Sequence, residues 1–375
     1  MITRSLLSVV QGRMYQGKAI IVVGARQVGK STLLHHIVEK SGQDALILDC
    51  DDPTTRSLLT NANTERLQAI VANHRIVMID EAQMVPNIGV TLKLIVDKRP
   101  DVQLLVSGSS ALELRSNINE PLTGRKFEYQ LYPISSSELI ADKGLVYLMQ
   151  TLEQRLIYGS YPDVLNHQAS ARELITNIAE SYLYKDLLSI EQVRKPILIQ
   201  KLLVALALQI GSEVSYNELA QTIGSDSKTV EKYIDLLEKC YVIFRLNALS
   251  RNMRTELKKG KKVFFYDNGV RNALLQNFQP LDMRSDTGAL WENFVISERI
   301  KRNHYMGHLA NYYFWRTTEQ QEIDLIEEHD GQFSAFEMKW NPKKANAALP
   351  KPFMDNYSPT SATIVTPDNF LEVVG

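Results

Sequence analysis

Two groups of residues in this 375-residue chain have types and spacings suited to phosphate chemistry. The first begins with "GARQVGKS", Gly24 to Ser31, in the pattern G-x-x-x-x-G-K-S. Its glycines let backbone N–H groups close on phosphate oxygens, and the amphipathic run that follows would add the positive end of a helix. Lys30 would reach the β- and γ-phosphates and the Ser31 hydroxyl would ligate Mg²⁺. Gly24, Ala25, Arg26, Gln27, Val28, Gly29 and Thr32 are the remaining candidate nucleotide contacts. In "HRIVMIDEAQ" an apolar run ends in Asp80 and Glu81. Asp80 would hold the metal's shell, and Glu81 would orient or deprotonate the attacking water. Alone, each feature also fits a plain turn; together they predict a site for ATP and Mg²⁺.

The second group lies near the C-terminus, in "FSAFEMKWNP". Strand side chains alternate, so Glu337 and Lys339 share one face while Phe336, Met338 and Trp340 take the other. Upstream, "QQEIDLIEEHDGQF" alternates and turns at Asp330-Gly331. That hairpin would bring Asp324, sharing a face with Glu322 and Ile326, beside Glu337 and Lys339. Asp324 and Glu337 are candidate metal ligands, and Lys339 could position a hydroxide for attack on a phosphodiester. Glu292, in "WENFVISERIKR", is a third acid. The structural alternative is an ion pair on a wet sheet face, contributing about 0–1 kcal/mol.

Elements must position these groups. "KAIIVV" is an all-apolar run, as expected of a strand covered on both faces in a parallel sheet. "ALILDCDDP", "HRIVMIDEAQ", "VQLLVSGSSAL" and "FEYQLYPIS" complete a five-strand reading. Residues 147–195 have helical spacing and suit a lid or connector. "YNELAQTIG" and "KTVEKYIDLLEKC" predict two short helices with N-caps at Ser215 and Asp226-Ser227 and a turn at Gly224, followed by the strand "YVIFRLNAL". That is a helix-turn-helix with a wing. The second helix balances Lys228, Lys232 and Lys239 against Glu231, Asp235 and Glu238, a poor match to a phosphate-lined groove. "RNMRTELKKGKK" carries six basic residues in twelve and reads as a solvated hairpin or a phosphate-tracking patch. The expected divisions are 1–146, 147–195, 196–255 and 256–375.

The net charge of -1 gives no global field for nucleic acid or an anionic membrane, so any basic surface is local. Cys50 and Cys240 match no metal spacing and fit buried thiols in a reducing cytoplasm. The start of the chain lacks a signal-peptide run, and "LLVALALQIG" is half the roughly 20 residues a membrane-spanning helix needs.

The N-terminal motifs resemble the AAA superfamily of additional-strand P-loop ATPases, and more narrowly a prokaryotic group within it. The loop G-x-R-Q-x-G-K is present with Arg26 and Gln27, and the acid pair continues into Ala82-Gln83. Leu122 to Arg125 spell "LTGR", and Pro133-Ile134-Ser135 follow. "YGSYPDVL" (158–165) and "YLYKDLL" (182–188) extend the likeness towards the C-terminus. It implies that Ser107 or Ser109 touches the γ-phosphate or the water. Arg125, with Arg115 as second choice, would be the arginine on the transferring phosphate. The C-terminal residues resemble the PD-(D/E)xK nuclease fold, with Glu292, Asp324 and Glu337-x-Lys339 in its order; Ile323 stands where that motif has proline.

The fold expected is therefore α/β: an additional-strand, AAA-like P-loop NTPase sheet, a helical and winged-helix segment, then a nuclease-like α/β domain. Three functions follow: an ATPase that moves its C-terminal parts, a metal-dependent nuclease switched by ATP, or a non-hydrolysing ATP-dependent assembly protein. Nucleic acid, DNA ahead of RNA, and a second copy of the chain are the partner classes; a membrane is not.

Overall fold

The computed structural model describes residues 2–108, 121–181, 195–250, 260–344 and 348–375. The chain forms two compact units, Met1–Tyr132 with Lys239–Tyr241, and Pro133–Glu238 with Val242–Gly375.

In the first unit, β1 (Ala19–Val23), β2 (Ala45–Asp49), β3 (Ile76–Asp80), β4 (Gln103–Gly108) and β5 (Lys126–Gln130) form a five-stranded sheet in the order β2-β3-β4-β1-β5. Every pairing is parallel. β1 and β4 are buried at every residue, as their apolar runs require. β4 is inserted between β1 and β3, so its carboxyl end stands between the loop after β1 and the acids after β3. The α/β class and the five parallel strands agree with the sequence reading.

The second unit opens with the helix Ser136–Lys143, capped by a reciprocal box between Ser135 and Glu138. The helices Leu145–Tyr158, Pro162–Asn166, Ala171–Ser181 and Pro196–Leu208 follow among the described residues. "YLYKDLL" lies outside them. Next come the helices Tyr216–Ile223 and Ser227–Lys239. Ser215 accepts the N–H of Glu218 at 3.4 Å, Asp226 accepts that of Thr229 at 3.0 Å, and Gly224 turns at φ 72°.

β6 (Glu213–Val214), β7 (Ile243–Ala248), β8 (Lys261–Phe265), β9 (Asn311–Arg316), β10 (Glu322–His329), β11 (Gln332–Met338) and β12 (Ser361–Val365) then make one mixed sheet, ordered β12-β11-β10-β9-β7-β8-β6. The division expected at 255/256 falls between β7 and β8, which are antiparallel neighbours. β7 would otherwise leave an open edge, and β9 fills it in parallel through Asn247 and Ala248. One sheet therefore runs across the expected boundary.

A second departure lies in β10. Its register against β9 shifts between Ile323 and Ile326. Both isoleucines consequently pack into one cluster with Trp315, Ala335 and Phe353. Strict alternation had put Ile326 on the face of Asp324; the bulge moves it away.

The motif residues around 133 and 158 meet in a buried polar network. The N–H of Ile134 bonds the carbonyl of Ser160 at 2.9 Å. Arg155, 1% exposed, donates to Ser160 Oγ at 3.0 Å and Ser136 Oγ at 2.9 Å. Glu298, also 1% exposed, accepts the Ser136 N–H at 2.5 Å and pairs with Lys301 at 2.8 Å and Arg155 at 3.4 Å. Asp267 accepts the Ser160 N–H at 2.7 Å, and a side chain at Gly159 (φ 79°) would collide with its carboxylate. These stretches are accounted for by packing.

Candidate functional site

The loop Gly24–Gly29 leaves β1 and enters the helix Lys30–Ser41, which packs against β3 and β4. It needs backbone that few residues supply: φ is 150° at Gly24, 57° at Gln27 and 95° at Gly29. A Cβ on Gly24 would strike the Leu131 carbonyl. Lys30 is 4% exposed and donates to the carbonyls of Gly24 at 3.1 Å and Ala25 at 2.7 Å. Its ammonium is thus folded into the loop, with the N–H groups of the helix start beside it.

Two strand ends and the start of the helix Lys30–Ser41 converge on one carboxylate oxygen. Asp80 Oδ1 accepts from Ser31 Oγ at 2.9 Å, from Ser107 Oγ, and from the Glu81 N–H at 3.2 Å. Ser107 Oγ also accepts that N–H, at 3.1 Å. Glu81 has φ 50°, and its carboxylate accepts from Gln83 Nε2 at 2.5 Å. Ser31, Asp80, Glu81 and Ser107 are therefore gathered at the carboxyl edge of the sheet, where an open parallel sheet binds ligands.

Arg125 is not among them. It precedes β5, whose Lys126 pairs with Ala19 at the start of β1, whereas the phosphate loop follows Val23, paired with Gln130. Four strand residues, about 13 Å at 3.3 Å each, separate the two ends. Its guanidinium bonds Asp97 at 2.6 Å. Parallel pairing thus puts Arg125 at the end of the sheet opposite the loop of its own chain. Arg115 and Ser109 lie outside the described residues.

Sequence reading missed Arg4. Its side chain is buried and donates to the carbonyls of Val28 at 2.6 Å and Tyr132 at 2.5 Å, bracing the phosphate loop from behind. Nothing in the short N-terminal run marks it. Cys50, at the end of β2, is buried and unpaired, as expected of a structural thiol; burial, then Asp49 and Asp80, push it up to about 12.

In the second unit the hairpin turns at Asp330 (φ 49°) and Gly331 (φ 77°) as predicted. The β10–β11 register, Leu325 opposite Phe336, carries on to set Asp324 near Glu337. Asp324 Oδ2 accepts the Met338 N–H at 2.8 Å, and Lys339 Nζ bonds Glu337 Oε1 at 2.5 Å. Glu337 Oε2 is buried without a hydrogen-bond partner. Glu292 arrives from the helix Thr287–Tyr305. This is not a wet sheet face, since Asp324 is buried and Glu337 nearly so. Burial, then Glu292 and Glu337, hold the Asp324 carboxyl well above its ordinary range; burial, with Glu322 and Glu337, pushes Glu292 up to about 7 against Lys262.

Lys262 is the second missed residue. The sequence put it in a basic surface run, most of which (251–259) lies outside the described residues. It is 2% exposed, 3.1 Å from Glu292 Oε1 and ion-paired with Glu322 Oε1. Burial opposes its charge, yet Glu292, Asp324 and Glu322 keep it protonated above the usual lysine range. Among the described residues, no three His, Cys, Asp or Glu side chains are arranged to hold a metal ion. No described helix is long and apolar enough to cross a membrane.

Comparison with known proteins matches three stretches of the chain. Residues 16–140 match a family described as an AAA domain, and 149–281 and 287–371 match two domains of unknown function. An uncharacterized protein of Mycobacterium tuberculosis is 25% identical over 334 residues, covering 87% of this chain and 71% of the relative. One of Methanocaldococcus jannaschii is 24% identical over 302 residues, covering 68% and 62%. Among solved structures, a Walker-type ATPase of Pyrococcus abyssi superposes with a TM-score of 0.50 at 15% identity, over 73% of this chain and 96% of its own. At that identity the likeness is one of fold.

Proposed function

We propose that the first unit binds ATP with Mg²⁺ and hydrolyses it. The observation carrying this reading is the convergence of Ser31, Ser107 and the Glu81 N–H on Asp80 Oδ1, beside the buried Lys30. The residues fit the ligand. Gly24 leaves backbone where a Cβ has no room, and the Lys30 ammonium now rests on two carbonyls that phosphate oxygens would replace. Ser31 and Asp80 would hold the magnesium, whose charge screens the phosphates when bound. Lys30 and the N–H groups of Ala25 to Thr32 would hold the phosphates. Glu81 would take the proton of the attacking water, and Ser107 would fix Glu81's backbone while reading the γ-phosphate. Arg125 would serve a γ-phosphate only on a second copy of the chain, which makes a homo-oligomer the matching assembly. Two buried cysteines that form no disulfide fit a cytoplasmic setting.

The test is steady-state phosphate release from Mg-ATP, with and without DNA or RNA. Turnover is expected. Saturable ATP binding without release would favour the assembly role, and no saturable binding would sink both.

A second reading concerns the C-terminal unit. The gathering of Glu292, Asp324, Glu337 and Lys339 supports a nuclease-like site in which Asp324 and Glu337 would face a metal. The helix pair before β7, with the antiparallel β6-β8-β7 set, supports a winged helix. Duplex, single-stranded and branched DNA, then RNA, with Mg²⁺ or Mn²⁺ are the substrates to try. Cleavage should disappear in Lys339→Ala, and intact substrates throughout would remove the reading.

A further inference from the structure

We propose that Lys262 is the resident cation of the C-terminal acid cluster: its ammonium occupies the place of a divalent ion, and the cluster takes up a metal only when Lys262 is displaced. The proposal deepens the nuclease-like reading and rests on it for the identity of the metal-facing acids, Asp324 and Glu337.

Three observations carry it. First, Lys262 is almost wholly buried, and an ammonium removed from water costs several kcal/mol unless carboxylates surround it. Second, it holds the two acids beside the metal-facing pair. It lies 3.1 Å from Glu292 Oε1, pairs with Glu322 Oε1, and its ammonium stands 5.5 Å from the centre of the Phe314 ring. Divalent ions bound by carboxylates need about six oxygens at 2.0–2.6 Å, and oxygens bonded to an ammonium are not free to close to that range. Third, protein donors already engage one oxygen of each metal-facing acid. Met338 N–H holds Asp324 Oδ2 and Lys339 holds Glu337 Oε1, which leaves Glu337 Oε2 buried without a hydrogen-bond partner. That oxygen is the unfilled acceptor expected of an acid site whose cation comes from one side only. Arg316, 3.6 Å from Glu322 Oε2, completes the internal counter-charge.

The experiment is calorimetric titration of the nucleotide-free full chain with MnCl₂. The wild type should show no saturable uptake below about 1 mM, the weak end for carboxylate sites. Lys262→Met should gain a site at least about tenfold tighter, a difference of about 1.4 kcal/mol. That gain should vanish when Asp324→Asn is added, which separates it from the phosphate loop. Circular dichroism checks the fold. If Lys262→Met does not fold, Glu322→Gln carries the test: its side chain is 26% exposed, and it removes one of the two carboxylates holding Lys262 without touching Asp324 or Glu337. The same gain is expected there. Saturable Mn²⁺ binding in the wild type, lost in Asp324→Asn, overturns the proposal and leaves the nuclease-like reading standing. Folded variants that bind no Mn²⁺ overturn both.

Discussion

Glu81→Gln should bind Mg-ATP as tightly as the wild type while releasing phosphate about 10²–10⁴ times more slowly, the usual contribution of a positioned general base. Glutamine keeps the size of the side chain and its contact with Gln83 but cannot take a proton. The backbone N–H of residue 81, which bonds Asp80 and Ser107, is unaffected, so the metal-facing oxygens stay where they are. Lys30→Ala should behave differently. Lys30 is the buried cation of the loop, and its loss leaves the Gly24 and Ala25 carbonyls facing the phosphates with nothing to offset them. Saturable ATP affinity should vanish. Equilibrium nucleotide titration paired with phosphate release separates the two. If Lys30→Ala keeps its affinity, the loop does not hold nucleotide; if Glu81→Gln turns over normally, the base is elsewhere.

Glu298→Ala should cost the second unit about 3–5 kcal/mol, the range for breaking a buried charge pair from one side. The truncation would strand Arg155 and Lys301, both within 2% of full burial, and leave the Ser136 N–H without its acceptor. Urea denaturation followed by circular dichroism reads the loss in the transition of that unit. The pH dependence has a definite sign. Burial raises the Glu298 pKa, but Lys301 and Arg155 outweigh it and hold the carboxyl below its ordinary 4.5. Its contribution is therefore present above about pH 4.5 and is lost as pH falls through the folded value. Glu298→Gln should flatten that acid limb. A loss under about 1 kcal/mol, as for an exposed pair, would show that the network is solvated in solution.

The phosphate loop, the acids after β3 and the turn at Asp330-Gly331 were legible because contiguous residues set them: glycine tolerates the required φ, and apolar runs mark strands. The pairing of Asp324 with Glu337 followed from the same short-range hairpin. Lys262 was not legible, since a lysine in a basic run carries no local mark of burial. Arg4 was hidden likewise; its partners are 24 and 128 residues away. Arg125 stood in the right motif, and only the parallel register of β5 on β1 revealed which end of the sheet it occupies. The pairing of β7 with β9 joined what looked like separate segments, and the β10 bulge turned Ile326 away from the face of Asp324. The sequence alone thus determined the conformation of the Gly24–Ser31 loop and the character of the strands, because backbone preference and alternation act over a few residues. The tertiary structure decided which charges are buried together and which cation faces which acid, because strand order, register and desolvation depend on residues far apart in the chain.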